Sequence, residues 1–168
     1  MLRAAEARHE HAGDPVPIDR VSMSYQDRYL RRRTVDGVDG EAILIDLPSA
    51  CSLNDGDRLV LEDGRHIEVT AAVEDLLEVR AADPAVLARL AWHIGNRHTP
   101  CQVEAGRLLI QRDHVLEDML GKLGAQTAHV TEPFRPEGGA YGHGRTHAHS
   151  HSHNPHEDPN AHIPHRHE

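Results

Sequence analysis

Hydrophobic and polar positions follow two different periods along this chain, and the change comes near residue 73. Before it, short apolar runs are separated by Asp-Gly dipeptides, a pattern typical of β-strands joined by tight turns. Residues 59–69 predict a hairpin, because two apolar runs flank Asp63-Gly64. We therefore expect a small all-β domain over residues 17–73, preceded by an N-terminal extension over residues 1–16.

Beyond residue 73, predicted strands alternate with two amphipathic helices. Asp83-Pro84 is typical of a helix start, and apolar residues recur at helical spacing from there to Gly95. A second helix follows Asp113 as its N-cap and ends at Gly124. Strands are predicted over residues 75–81, 101–104, 107–111 and 126–131. The order βαββαβ predicts a ferredoxin-like domain over residues 74–141, so that the chain as a whole belongs to the α+β class.

Composition and charge limit what such a chain can do. One Phe, one Trp and three Tyr among 168 residues leave aliphatic side chains to form most of the core. The formal net charge of −9 argues against binding a nucleic-acid backbone. Two cysteines are too few for a disulfide framework. No signal peptide and no apolar run of about 20 residues is recognisable, so we expect a cytoplasmic protein without nucleic-acid or membrane partners.

The end of the chain is rich in histidine: residues 143–168 hold nine of the sixteen histidines. Neutral imidazole is a common ligand of Ni(II), Zn(II) and Cu(II), which predicts a metal-binding tail. We expect residues 142–168 to be disordered without metal, because they are too polar to form a core. Interleaved Ala, Ser, Asn and Pro argue against a purification tag, and a merely solvated tail does not explain the choice of histidine. The candidate ligands here are His143, His147, His149, His151 and His153.

Three motifs precede this tail in order. They read Gly95-Asn96-Arg97-His98, Asp113-His114-Val115-Leu116-Glu117-Asp118-Met119-Leu120 and Pro133-Phe134-Arg135-Pro136-Glu137-Gly138-Gly139-Ala140-Tyr141. Together with the tail, they resemble the motifs of the urease accessory protein family UreE. Members of this family are nickel metallochaperones. The resemblance covers residues 17–168. It implies a β-rich domain similar to a chaperone peptide-binding module and a ferredoxin-like metal-binding domain. It also implies a homodimer that is not an enzyme and that delivers Ni(II) to the urease accessory GTPase and the urease apoprotein complex.

The resemblance also implies roles for single residues. His98 matches the family histidine at which two copies share one metal ion, and His114 matches an auxiliary ligand of some members. Some relatives carry an extra histidine where this chain has Arg112, and this difference weakens a second site. Ni(II) is the implied ion, and the same imidazoles would also take Zn(II) or Cu(II) in vitro.

Alternative interpretations stay open for several residues. In a structural interpretation, His98 only ends the first helix and binds the last backbone carbonyls of that helix. Cys101 stands at metal-site spacing from His98, but we expect a small buried side chain. The basic run of Arg28 and arginines 31–33 is either a solvated strand face or a docking patch.

Two other functions compete with delivery of nickel. The first is a nickel or zinc storage protein, which the sequence separates poorly from a carrier. The second is a metal-dependent hydrolase, which would need three fixed ligands beside an open position. The sequence has no His-Glu-x-x-His motif and few clustered ligands in its folded part, so we do not expect an enzyme.

Overall fold

The computed structural model describes residues 1–138, which form two β-sheets and two helices. The N-terminal strands are β1 (Leu2–Arg8), β2 (Asp19–Met23), β3 (Tyr29–Asp36), β4 (Ala42–Ser52), β5 (Arg58–Leu61) and β6 (His66–Ala71). The C-terminal elements are β7 (Val73–Arg80), α1 (Pro84–Gly95), β8 (Cys101–Glu104), β9 (Arg107–Gln111), α2 (His114–Lys122) and β10 (Gln126–Pro133). An all-β part followed by βαββαβ confirms the predicted fold class.

The N-terminal sheet has six strands in the order β2-β6-β5-β1-β4-β3. The pairs β1/β4 and β2/β6 are parallel, and the other neighbours are antiparallel. The predicted hairpin is confirmed, since β5 and β6 pair Leu59 with Ile67. Its turn needs Gly64, which has a φ of 83° that other residues rarely adopt. The core of this sheet is aliphatic, as the scarcity of aromatic residues predicts.

The strand β1 lies within residues 1–16, which the sequence predicted to be an N-terminal extension outside the sheet. The structure corrects this expectation. β1 is inserted between β4 and β5, and Ala4 pairs with both Ile45 and Leu61. Ala4 is fully buried in the core. The sequence of β1 is rich in Ala, Glu and Arg, which favour helices, and it has no β-branched residue. Packing between two neighbouring strands outweighs this weak local preference.

The C-terminal sheet has the order β10-β7-β9-β8, and all its neighbours are antiparallel. This is the ferredoxin-like arrangement, in which the two helices cover one face. Both predicted helix caps are confirmed. The side chain of Asp83 accepts a hydrogen bond from Ala85 N–H at 2.8 Å, and that of Asp113 accepts one from Val115 N–H at 2.8 Å.

The two faces of this sheet have different chemistry. The helix-covered face is apolar, and its core consists of Leu77, Val79, Leu90, Ile94, Leu108, Ile110 and Leu120. On the other face Arg107 donates hydrogen bonds to Glu78, Glu104 and Glu132, at 2.6–2.9 Å. Hydrogen bonds from Arg80 and Arg107 lower the pKa of Glu78 from 4.5 to about 2. This face therefore carries a network of charge pairs, beside the buried side chains of Leu76 and Leu109.

The segment after β10 joins the two sheets. Phe134 is fully buried with Leu76 and Leu109, and its ring meets that of Tyr25 edge-on at 5.5 Å. Its carbonyl accepts a hydrogen bond from Arg28 Nη2 at 2.5 Å. These contacts connect the N-terminal strands with the C-terminal sheet around one aromatic side chain.

Candidate metal site

His98 lies in the connection between α1 and β8. Its φ of 55° is the only positive value among the non-glycine residues that the structure describes. This left-handed conformation costs a residue with a side chain about 1–2 kcal/mol, which is why glycine commonly ends helices in this way. A histidine at such a position is a candidate for function, since strained residues cluster at functional sites.

Backbone hydrogen bonds impose this turn on His98. Its N–H donates to the Gly95 carbonyl at 2.9 Å, and the N–H groups of Arg97 and Thr99 donate to the Ile94 carbonyl at 3.1 and 3.4 Å. The last carbonyls of α1 are thus bonded by backbone amides. The side chain of His98 is exposed to solvent, where it can bind an ion.

The helix that leads to His98 carries an exposed tryptophan. Trp92 is 63% exposed, and its ring meets the imidazole of His93 edge-on at 5.0 Å. Arg97 Nη1 donates to the His93 carbonyl at 3.2 Å, which fixes the last turn of α1. Burying a large aromatic side chain is favourable, so contact of Trp92 with a second surface would be stabilising.

The C-terminal segment returns to the same region of the fold. Glu137 N–H donates to the carbonyl of Cys101 at 2.8 Å, and Cys101 follows His98 by three residues. Arg135 N–H donates to Gln102 Oε1 at 2.6 Å. The chain therefore leaves the described region beside the start of β8. The predicted tail ligands His143, His147, His149, His151 and His153 lie outside the described residues.

Cys101 lies beside the helix-covered core, as a small partly buried side chain. Burial raises the pKa of its thiol to about 11. The thiolate is the form that binds metals, so a thiol that stays protonated at neutral pH is a poor ligand. The position of Cys101 supports the packing role expected from the sequence.

The second predicted ligand, His114, is the first residue of α2 and is exposed. It stands on a different element from His98. Within residues 1–138, no three His, Cys, Asp or Glu side chains are close enough together to hold a metal ion. One described chain therefore offers single imidazoles rather than a complete ligand set.

One polar pair on the C-terminal domain could not be predicted from the sequence. His129 Nε2 in β10 lies 3.1 Å from both carboxylate oxygens of Glu117 in α2. Nothing in the spacing of the two residues signals this contact, because it depends on how α2 packs over the sheet. The alternation of β10 and the helical period of α2 only place each residue on a face.

The fold places the arginines of the basic run in two different environments. Arg28 is buried at the joint between the sheets, whereas arginines 31–33 are exposed on the edge strand β3. Arg33 pairs with Asp27 at 2.5 Å, and Arg32 lies 3.9 Å from Asp46. Carboxylates thus neutralise part of the exposed run.

The family models that match this chain describe an accessory protein, which is not an enzyme. Residues 2–72 match the family model of the UreE urease accessory protein, N-terminal domain, and residues 74–167 match that of its C-terminal domain. The chain belongs to the UreE urease accessory protein family. This membership confirms the resemblance seen in the motifs.

Several relatives named urease accessory protein UreE are similar over most of the chain. The protein of Ruegeria pomeroyi is 63% identical over 129 residues, covering 77% of this chain and 85% of its own. That of Paracoccus denitrificans is 55% identical over 133 residues, with 79% and 83% covered. That of Rhodopseudomonas palustris is 48% identical over 141 residues, with 84% and 67% covered. Neither helix of the described region has the length and apolar content that crossing a membrane requires.

Proposed function

We propose that this chain is a nickel metallochaperone, which binds Ni(II) at His98 and passes it on for assembly of the urease active site. The observation that carries the proposal is the exposed imidazole of His98 at a positive φ, three residues before Cys101, whose carbonyl accepts a hydrogen bond from Glu137 N–H. Imidazole is a suitable ligand for Ni(II), and membership of a urease accessory family supplies the context.

The carrier acts as a homodimer in this proposal. One imidazole is a weak site. Within one chain, residues 1–138 contain no group of three His, Cys, Asp or Glu side chains that could hold an ion with it. Two copies that bring their His98 side chains together would share one ion. The exposed Trp92 on the preceding helix supports such a contact, because a second copy would remove it from water.

The tail lends additional ligands to the shared ion in this proposal. Glu137 is held beside the start of β8, and His143 follows it by six positions. A chain of that length spans at most about 20 Å, so the tether keeps tail imidazoles near the start of β8 at high effective concentration. Such weak ligands exchange readily, which suits transfer in the cytoplasm to the urease accessory GTPase and the urease apoprotein complex.

The binding step is tested by replacing His98 with Ala in the full chain. Nickel titration calorimetry and light scattering should show loss of the tightest site and an unchanged dimer mass. The control is His11→Ala, an exposed histidine of the N-terminal part. Unaltered nickel affinity in the His98 variant would overturn the proposal.

Storage of nickel is the alternative function, and removal of the residues after 141 separates it from delivery. A carrier that depends on His98 should keep one shared ion per dimer and still activate urease apoprotein in vitro. A storage protein would lose most of its capacity and show no activation beyond that of free Ni(II). Zn(II) and Cu(II) titrations of the same truncated chain measure its preference between ions.

A further inference from the structure

Strand β3 forms one edge of the N-terminal sheet. Its neighbour in the sheet is β4, and within residues 1–138 no other segment shares a backbone hydrogen bond with residues 30–36. The opposite edge, β2, is partly covered, because the N–H of Val38 donates to the carbonyl of Arg20 at 2.8 Å. Alternate residues of an edge strand direct their N–H and C=O groups outwards, where a further strand can bind them. Residues 31–34 are exposed, so such a strand can approach β3.

The exposed part of β3 is cationic, in a chain whose formal net charge is −9. Arginines 31–33 follow one another along the strand. Arg32 Nε lies 3.9 Å from Asp46, but Arg3 already holds that carboxylate with a hydrogen bond of 2.9 Å. Arg31 forms no ion pair with any residue of the described region. The guanidinium groups of Arg31 and Arg32 can therefore bind carboxylates of another molecule.

The register of the sheet places these cations on both of its faces. Arg32 pairs with Asp46 and Arg33 with Ile45 in β4, and successive residues of a strand point to opposite faces. A strand added to β3 would therefore meet an arginine on each face. Opposite charges at facing positions of neighbouring strands stabilise the pair. Consecutive Asp or Glu residues in the added strand would provide a carboxylate for each face.

The arginines also restrict which molecules can pair with β3. Charged residues on an edge commonly prevent two copies from pairing, because like charges that face one another are destabilising. Two β3 strands would bring arginine against arginine in this way. An acidic strand reverses the sign of these contacts, so the charges that exclude a second copy select an acidic partner. A nucleic acid would extend beyond the arginines and face the acidic remainder of the chain.

We propose that β3 is a docking edge for an extended acidic segment of a partner protein, which adds to the N-terminal sheet as a further strand and binds Arg31 and Arg32. Main-chain hydrogen bonds supply the affinity in this mode of binding, and side-chain contacts supply the specificity. The surface contains neither His98 nor the tail. The proposal therefore goes beyond the carriage of nickel and does not depend on it.

The test uses the full chain and a short synthetic peptide in which consecutive glutamates are flanked by Val and Thr. Fluorescence anisotropy of the labelled peptide measures its Kd, and the same peptide with lysines in place of the glutamates is the charge control. The acidic peptide should bind, more weakly as salt is added, and the lysine peptide should not. Hydrogen exchange read by NMR spectroscopy locates the contact, since exchange of the amides in residues 31–35 should slow when the acidic peptide binds.

Variants of the chain and of the peptide separate charge from strand pairing. Arg31→Gln and Arg32→Gln should each weaken binding about two- to fivefold, which is the usual contribution of one exposed charge pair. Arg89→Gln, at an exposed arginine of α1, should leave the Kd unchanged. An added strand uses the N–H groups of every second residue. Methylation of one alternate set of peptide nitrogens should therefore weaken binding about tenfold, and methylation of the other set should not.

Several outcomes would overturn the proposal. Equal binding of the acidic and the lysine peptide would remove the role of charge, and equal effects of the two methylation sets would remove strand pairing. Slower exchange confined to residues outside β3 would place the contact elsewhere. Tighter binding of a single-stranded oligonucleotide would assign the arginines to a phosphate backbone. The peptide Kd should be the same in His98→Ala, so failure of the nickel site is seen separately.

Discussion

The backbone N–H of His98 donates a hydrogen bond to the carbonyl of Gly95 at 2.9 Å, and this bond closes a turn in which His98 has a φ of 55°. Glycine would adopt the same turn without steric strain. The chain thus carries an imidazole where stability alone favours glycine. Stability and the proposed metal binding at this position can therefore be separated by mutation.

Replacement of His98 by Gly should relieve the backbone strain, replacement by Ala should keep it, and both should have the same effect on nickel binding. His98→Gly is expected to be more stable than His98→Ala by about 1 kcal/mol, because only Ala keeps a Cβ in the left-handed conformation. Both should lose the tightest nickel site. Denaturant unfolding and nickel titration of the two proteins measure these effects, and equal stabilities would contradict the strain at His98.

Phe134 should be the most sensitive residue of the joint between the sheets. Its side chain is fully buried, so Phe134→Ala is expected to cost about 3–5 kcal/mol of unfolding free energy. The loss of the Tyr25 contact and the shift of the Arg28 partner should also loosen one sheet relative to the other. Urea denaturation gives the first quantity, and small-angle scattering shows a broader distribution of shapes.

A matched control for Phe134 is Val38→Ala. Val38 is 68% exposed, and its truncation should change stability by less than about 0.5 kcal/mol. If the two variants were equally stable, burial of Phe134 would not hold the sheets together.

Gly37 and Gly121 should respond to alanine in opposite directions. A Cβ at Gly37 would lie 1.9 Å from Asp19 Oδ2, whose carboxylate accepts hydrogen bonds from the backbone around it. Gly37→Ala must displace that carboxylate and should destabilise the fold. Gly121 is in α2 with open space around it, so Gly121→Ala should stabilise by up to about 1 kcal/mol. Thermal unfolding of both variants measures the difference, and destabilisation by Gly121→Ala would contradict the packing around α2.

The C-terminal domain could be predicted from sequence because its signals are local. Asp83 and Asp113 cap their helices, and each predicted strand of this domain is present within two residues of its ends. β1 could not be predicted in this way. Its residues have little strand preference, and only the neighbours β4 and β5 determine its structure.

The candidate site, too, could be predicted only in part. His98 was predicted as a ligand from its motif and its chemistry, but its left-handed φ is a property of the folded turn and leaves no mark in the sequence. The contact of Glu137 with Cys101 and the pair of Glu117 with His129 join residues that are distant in sequence or on different elements. Such contacts depend on how the elements pack, which no local pattern encodes.

Glu78 should make the stability of the C-terminal sheet depend on acid pH. Hydrogen bonds from Arg80 and Arg107 lower its pKa from 4.5 to about 2, and its side chain is only 15% exposed. Because the folded form binds this proton less readily than the unfolded form, the stabilisation is complete above pH 4.5. It is lost as the pH falls from about 4.5 towards 2.

Urea unfolding of Glu78→Gln across this range tests the contribution. The variant should be less stable than the parent at neutral pH, and the difference should shrink as the pH falls towards 2, where the parent carboxylate is also protonated. Glu6→Gln, an exposed carboxylate of β1, is the control for loss of a charge. A difference that stayed constant from neutral pH down to pH 2 would mean that Glu78 acts through packing, and the charge pairs with Arg80 and Arg107 would then contribute nothing to folding.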